Sequence, residues 1–313
     1  MYFRRRLVAA VVLAAAACAG CRALTTSFGE SEPQKPLLES ATESAQKAAA
    51  DLPKKVGSVF TKKEPTNDGD WIPEQTRLSW AESKGDQVTI HNVRNCKYYT
   101  YSDCVCDWSD KTYDVDRLKS VDFILVPFAE NPSIAHTMLS FGFDDGEQVG
   151  VSVEVRLEKG EQYDAAVGLM GQFELMYVIA EERELICCRV EHRDVDVYLY
   201  PTIATREQTK RLFIDMLKRA NKLKKEPEFY DTLSNNCTTN IVRHINALAP
   251  GKVPHDYRVL LPGFSDKLAY DLGLIDNRLP FEELKSRCRV NDVALRYKDH
   301  PQFSQKIRAE LRR

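Results

Sequence analysis

The sequence lacks an excess of either charge. It has 44 lysines and arginines against 46 aspartates and glutamates, a formal net charge of -2. Proteins that bind nucleic acid carry a basic surface, so we expect no nucleic-acid partner. Internal repeats and CxxC motifs are also missing, and neither Cys104-Val-Cys106 nor Cys187-Cys188 has the spacing of a zinc knuckle. We therefore expect no metal site and no cofactor.

Long apolar runs are missing too, apart from residues 7–18. Three arginines precede this run and Ala19-Gly20-Cys21 follows it, which is typical of a lipoprotein signal sequence. The run is too short for a comfortable membrane span. We predict a signal peptide over 1–21 with lipidation at Cys21. Cys18 stands where leucine is usual, so simple secretion or an uncleaved anchor remains open.

The nine cysteines fit an exported protein. Cys18 and Cys21 belong to the signal, and one further cysteine is assigned a chemical role below. The remaining six can form disulfides in pairings that the sequence does not reveal: Cys96, Cys104, Cys106, Cys187, Cys188 and Cys288.

The order of predicted elements indicates an α+β fold with a mostly antiparallel sheet, because strands come first and helices later. Residues 22–68 have few large apolar side chains and predict a tether. A folded domain is predicted over 70–280, followed by a charged helical tail over 281–313. Strands are predicted at 88–93, 121–128, 134–143, 149–157, 173–180, 185–190 and 195–200. Thr205 and Gln208 predict the capping box of a long helix.

The segment from Asn235 to Asn240 carries the strongest chemical signal. Cys237 follows two asparagines, which are good N-cap residues, and an apolar helical stripe begins at Ile241. The first turn of a helix favours a thiolate over a thiol. Cys237 is therefore a candidate nucleophile; the alternative is a buried cysteine that packs as a small hydrophobic residue.

A base for Cys237 is predicted from strand faces. Strands 134–143 and 149–157 alternate so that their odd-numbered residues form one apolar face. Both apolar faces meet the same core only if the loop Asp144-Asp145-Gly146 has three residues. His136 then lies opposite Glu154. If the Cys237 helix packs on that face, a Cys–His–Glu site results; otherwise the pair is a surface contact of little energy.

Four other residues are candidate substrate contacts. Arg156 flanks Glu154 and could bind an anionic head group, and His91 and Arg94 lie in a polar run that could line a cleft. Asn236 stands next to the thiol. A solvated arginine and a strand-end turn are the alternatives for Arg156 and for the polar run.

Several motifs together resemble one bacterial family, the Lnb N-terminal periplasmic domain family. They are Trp71-Ile72-Pro73, the run from Ile90 to Asn95, the strand from Ala135 to Phe141, Ser152 to Arg156, and Phe229 to Asn240. The His-before-Cys order is also similar to permuted members of the papain-like NlpC/P60 superfamily. The resemblance implies a periplasmic papain-like thiol enzyme with Cys237 and His136 as catalytic residues and Glu154 as the third member.

Three functions remain open at this point. The first is a membrane-anchored cysteine acyltransferase or hydrolase that acts through a Cys237 thioester on lipid or lipoprotein substrates. The second is a cell-wall peptidase or amidase. The third is a non-catalytic lipoprotein that binds envelope components. The chain is expected at the periplasmic face of the bacterial envelope, held at the membrane through lipid on Cys21.

Overall fold

The structure is a computed structural model that describes residues 64–100 and 103–311. The predicted signal peptide, Cys21 and all but the last five residues of the predicted tether lie outside these residues. Within the described ranges, no helix combines the length and the apolar character needed to cross a membrane.

The predicted fold class is confirmed. The described residues contain a mixed sheet whose strands run in the order β1-β2-β7-β6-β5-β4-β8, with β3 paired to β2. The pairs are antiparallel except β2 with β7. The strands are β1 Trp80–Lys84, β2 Gln87–Tyr98, β3 Cys104–Asp114, β4 Leu118–Pro127, β5 Ala135–Phe143, β6 Gln148–Arg156, β7 Glu174–Glu181 and β8 Tyr198–Pro201.

Helices cover both faces of the sheet. The α-helices are α1 Ala165–Gly168, α2 Glu182–Cys187, α3 Arg206–Lys225, α4 Cys237–Leu248, α5 Tyr257–Leu260, α6 Ser265–Asp271, α7 Phe281–Cys288, α8 Asn291–Tyr297 and α9 Phe303–Leu311. A π-helical segment, Cys188–His192, follows α2, and a 3₁₀ turn, Pro262–Phe264, follows α5. The capping box predicted for α3 is present.

Alternation along the central strands produces two cores. Odd-numbered side chains such as Leu139 and Val151 pack under α3 and α4. The opposite face carries Met138, which packs with residues of α2, α8 and α9 in a second core. Both faces of the sheet therefore meet a core. The second face is covered because elements distant in sequence return to it.

The β5–β6 hairpin has the predicted register. Leu139 pairs with Val151, and the backbone N–H of Phe143 donates to the carbonyl oxygen of Glu147 across the loop. Gly146 ends this three-residue loop at φ 86°, in the left-handed region that glycine tolerates best.

The second predicted hairpin, 173–180 with 185–190, is wrong. Only its first strand forms, as β7, and Glu182–Cys187 is helical. β7 lies inside the sheet with β6 on one side and β2 on the other. At Ala180, where the chain would turn back, β7 is paired with Gly150 of β6 and with Arg94 of β2, so no edge is free there and the chain turns away from the sheet.

The segment after residue 280 packs against the sheet. Its buried apolar side chains belong to the same core as Met138: Val290, Ala294, Phe303 and Ile307. Among the six cysteines that could pair, Cys96 and Cys106 form a disulfide between directly opposed positions of β2 and β3. The other four are free thiols in the structure.

Candidate functional site

Cys237 is the first residue of α4, as the sequence predicts. The Asn236 side chain accepts a hydrogen bond from the backbone N–H of Thr239, and the Thr239 hydroxyl accepts one from the N–H of Asn236. This reciprocal cap fixes the turn that carries the thiol. The side-chain amide of Asn236 also donates to the carbonyl oxygen of Thr232. Asn236, a predicted substrate contact, is thus used to build the helix end.

The thiol of Cys237 is buried against the start of β5. Cys237 is 5% exposed, and its sulfur lies 4.0 Å from the carbonyl oxygen of Ala135. The Thr238 and Thr137 hydroxyls are 3.0 Å apart, which joins α4 to the odd-numbered face of β5. The condition stated for a Cys–His–Glu site was that the Cys237 helix packs on the face carrying His136, and α4 lies on the other face. The apolar side of α4 is buried in the larger core instead.

His136 and Glu154 are brought together through a serine. The distance from His136 Nε2 to Glu154 Oε1 is 3.9 Å, and Ser152 Oγ lies 2.7 Å from each of these atoms. The Ser152 hydroxyl donates its single proton to the carboxylate. Its oxygen must then accept a hydrogen bond from His136 Nε2–H. This proton count assigns the tautomer and leaves the imidazole lone pair on Nδ1.

Two arginines set the charges in this network. Burial would raise the pKa of Glu154, but Arg94 and Arg189 outweigh it and hold the pKa at about 2. Burial and the charge of Arg189 lower the pKa of His136 to about 3, although Glu154 opposes the shift. Glu154 is therefore ionised and His136 neutral at pH 7. A neutral imidazole is the form that can accept a proton.

The hydrogen-bonded part of the β5–β6 ladder ends beside both groups. Backbone pairing runs to Met138 and Ser152, and both strands continue beyond that pair. His136 and the Ala135 carbonyl lie on the continuation of β5, which is still paired with β4 but no longer with β6. Within the described part of the chain, Cys237 is not hydrogen-bonded to His136 or Glu154. The two halves of the predicted site occupy opposite faces at the same end of β5.

The other predicted contacts are engaged elsewhere, except Arg94. Arg156 is buried over the Trp71 ring and donates to the carbonyl oxygen of Gln75. His91 stacks on Trp80, and its Nδ1 is 2.7 Å from an Asp110 carboxylate oxygen.

Arg94 lies beside the network. Its guanidinium binds the buried Glu184 at 2.9 Å and approaches Glu154 at 3.9 Å. The sequence predicted this residue through a polar run, and the structure joins it to the carboxylate of the predicted site.

Sequence reasoning missed Ser152 and Arg189. Ser152 shares a strand face with Glu154, so the same alternation argument could have found it. Arg189 lies in the π-helical segment where a strand was predicted, and its guanidinium is 3.5 Å from Glu154. No local sequence pattern predicts this contact, because it depends on where the chain turns after β7.

A second buried histidine lies on the same helix as Cys237. His244 lies on α4 with its Nδ1 2.6 Å from Asp215 and its Nε2 2.8 Å from the Tyr177 hydroxyl. The same hydroxyl donates to Asn240 at 3.2 Å, and the Asn240 amide donates to the backbone of Asn236. The histidine therefore joins α4 to β7 and α3.

Comparison with known proteins supplies the family. A model of the family described as the Lnb N-terminal periplasmic domain matches residues 105–263, which is half of the chain. The chain belongs to the Lnb N-terminal periplasmic domain family. This confirms the family resemblance seen in the sequence. Comparison with curated proteins and with solved structures found no further match.

The matched residues run from β3 to the turn after α5 and include His136, Glu154 and Cys237. The Lnb family is one of periplasmic domains, which supports a periplasmic location for this chain. His91 and Arg94 lie before the match.

Proposed function

We propose that this Lnb-family protein is a periplasmic thiol enzyme that transfers or hydrolyses an acyl group through a thioester on Cys237. Lipids or lipoproteins are the proposed substrates, and lipid on Cys21 is the proposed anchor. The supporting observation is the assigned tautomer of His136, whose Nε2–H donates to Ser152, which donates in turn to Glu154, while the lone pair stays on Nδ1.

The helix end supports the nucleophile. Cys237 occupies the first turn of α4, where backbone N–H groups and the helix dipole stabilise negative charge. These N–H groups are also suitable donors for the oxyanion of an acyl-transfer intermediate. The thiol needs only a base and an acyl carbon within reach.

The end of the β5–β6 ladder supports the base. The sulfur of Cys237 is 4.0 Å from the carbonyl oxygen that immediately precedes His136 in the chain. In the resting structure the imidazole faces Ser152. The proposal requires that His136 turn Nδ1 towards the sulfur when substrate enters, because a base must come within about 3 Å of the proton that it takes.

The reaction then has two balanced steps. Nδ1 takes the thiol proton, sulfur attacks the acyl carbon, and a C–S bond forms as the bond to the leaving group breaks with return of that proton. Water or an amine next attacks the thioester, the C–S bond breaks, and the thiol is restored. Glu154 keeps the imidazole oriented and stabilises its protonated form through Ser152. This chemistry agrees with the likeness to the permuted NlpC/P60 superfamily.

The test locates the thioester by peptide in the full chain, isolated from the membranes of cells that were fed an alkyne-tagged fatty acid. We expect a hydroxylamine-labile acyl group on the Cys237 peptide, separate from the Cys21 lipid. Cys237→Ala should remove it, and Cys288→Ala, which alters another buried free cysteine, should retain it. His136→Gln should lower its amount. Unmodified Cys237 peptide, with a thiol no more reactive to iodoacetamide than that of Cys288, would overturn the proposal.

One observation favours a second function. α4 packs on the face of β5 opposite the His136 ring, and Cys237 is 5% exposed. If Cys237 is only a packing residue there, the protein is a non-catalytic envelope-binding lipoprotein. This alternative predicts that Cys237→Ala and Cys288→Ala behave alike in every assay of thiol reactivity. A peptidase or amidase would be distinguished from both by cleavage of cell-wall peptide substrates.

A further inference from the structure

An exposed apolar surface lies beside the proposed site. Tyr257, Leu260, Leu261 and Phe264 are 65%, 48%, 37% and 43% exposed. They fall within eight consecutive residues of α5 and the following 3₁₀ turn, and they are called the apolar patch below. Clustered large apolar side chains at the surface are typical of interaction sites, whereas scattered ones are ordinary.

The backbone beneath the apolar patch is firmly held, so its exposure is not that of a loose loop. Val259 is buried in a small core with Val253 and Leu268. The N–H of Gly263 donates to the carbonyl oxygen of Ser133 at 2.9 Å. A Cβ on Gly263 would lie 1.9 Å from the carbonyl oxygen of Pro132. Inward side chains thus fix the segment while the outward ones remain apolar.

The apolar patch adjoins the end of β5 where the proposed site lies. Ser133, which binds Gly263, stands two residues before Ala135, whose carbonyl oxygen is 4.0 Å from the sulfur of Cys237. A surface bound to the patch would therefore lie close to the thiol.

Charges around the apolar patch are balanced. Arg258 is paired with Asp256 at 2.8 Å and with Asp271 at 2.6 Å, and Lys267 also contacts Asp271. A strongly acidic or basic partner would find no complementary excess of charge here. A partner that offers apolar surface behind neutral or zwitterionic head groups fits better.

The length of chain before the described residues allows a membrane contact. Glu64, the first described residue, is 43 positions after Cys21 (64 - 21). A chain of that length spans at most about 140–155 Å when fully extended. A lipid at Cys21 would therefore keep the domain near the bilayer and leave the domain's own surface to determine its orientation.

We propose that the apolar patch docks on the lipid bilayer and presents the end of β5 to it. Docking requires burial of the four apolar side chains at the acyl boundary and does not require catalysis. It rests on the anchor of the proposed function, the lipid on Cys21, and is independent of the chemistry at Cys237.

The test uses the full chain in phosphatidylcholine vesicles whose acyl chains are brominated. Bromine quenches tryptophan emission only at contact distances. On going from plain to brominated vesicles, the Phe264→Trp chain should therefore lose more emission than the unsubstituted chain loses. Val105→Trp is the matched control, because Val105 is 64% exposed on β3. Its tryptophan should lose nothing further.

Two further variants complete the experiment. Leu260→Asp in the Phe264→Trp chain should abolish the added quenching with an unchanged circular dichroism spectrum. Cys237→Ala should leave the quenching intact, since the contact is with the bilayer and not with an acyl group on the thiol. Equal quenching of Phe264→Trp and Val105→Trp would overturn the proposal. It would also be overturned if, in detergent without vesicles, the protein's own N-terminal segment already shielded the tryptophan introduced by Phe264→Trp completely from solvent.

Discussion

Arg308 gives the sharpest test of how the C-terminal helix is held. Its guanidinium lies 2.6 Å from Asp122 and 2.5 Å from Glu182, and the Glu182 side chain is completely buried. Ser140 donates a further hydrogen bond to Glu182. Replacing Arg308 with Met would leave two buried carboxylates without their shared cation. Removing one partner of a buried ion pair costs about 3–5 kcal/mol.

The assay is urea unfolding of the full chain, with thermal unfolding as a second measurement. For a domain of this size, each kcal/mol changes the melting temperature by about 2–4 °C, so we expect a fall of roughly 10 °C. Arg206→Met is the control, because Arg206 pairs with Asp144 across exposed surface and should change nothing measurable. Equal losses in the two variants would refute the reasoning.

The pH dependence of the Arg308 variant gives an independent check. Burial would raise the pKa of Glu182, but Arg308 outweighs it and holds the pKa below its usual value. In the wild type this stabilisation is present above the unfolded-state pKa, about 4.3, and is lost as the pH falls through the folded-state pKa. Without Arg308, burial is opposed only by hydrogen bonds from the Ser140 and Ser304 hydroxyls, so the carboxyl is protonated more readily. The stability gap between variant and wild type should therefore narrow as the pH falls from about 7 towards 4.

Three further predictions concern the site and its surroundings. Asn236→Ala removes the N-cap of α4 and should lower the free energy of unfolding by about 0.5–2 kcal/mol in urea, whereas Asn236→Asp keeps the cap, loses the bond to the Thr232 carbonyl oxygen and should have an intermediate stability. Gly263→Ala forces a methyl group against Pro132 and should cost about 1–3 kcal/mol; a variant as stable as the wild type would contradict the close contact. His136, with a pKa of about 3, should show a constant ring C2–H chemical shift between about pH 5 and 8. A midpoint near 6.5 would show that burial does not keep it neutral.

Local sequence signals sufficed for the parts of the site that depend on neighbours along the chain. The register of β5 with β6 follows from alternation and from a three-residue loop ending in Gly146. The position of Cys237 follows from the capping preferences of Asn236 and Thr239. Strand alternation also indicated that His136 and Glu154 share a face.

Errors arose where a choice depended on distant residues. The sequence assigned residues 185–190 to a strand, but β7 has neighbours on both sides and leaves no edge to extend. β3 was missed because it is mostly polar, and its register with β2 decides that Cys96 meets Cys106.

By itself, the sequence determined the family, the α+β class, the hairpin register and the helix end that carries Cys237, because each is encoded by short-range pattern or by several motifs in order. Only the tertiary structure decided which face of β5 receives α4. Both faces offer buried positions, Leu139 on one and Met138 on the other. Which face α4 covers depends on where the other helices bury their apolar sides, and no local pattern specifies this global balance of burial.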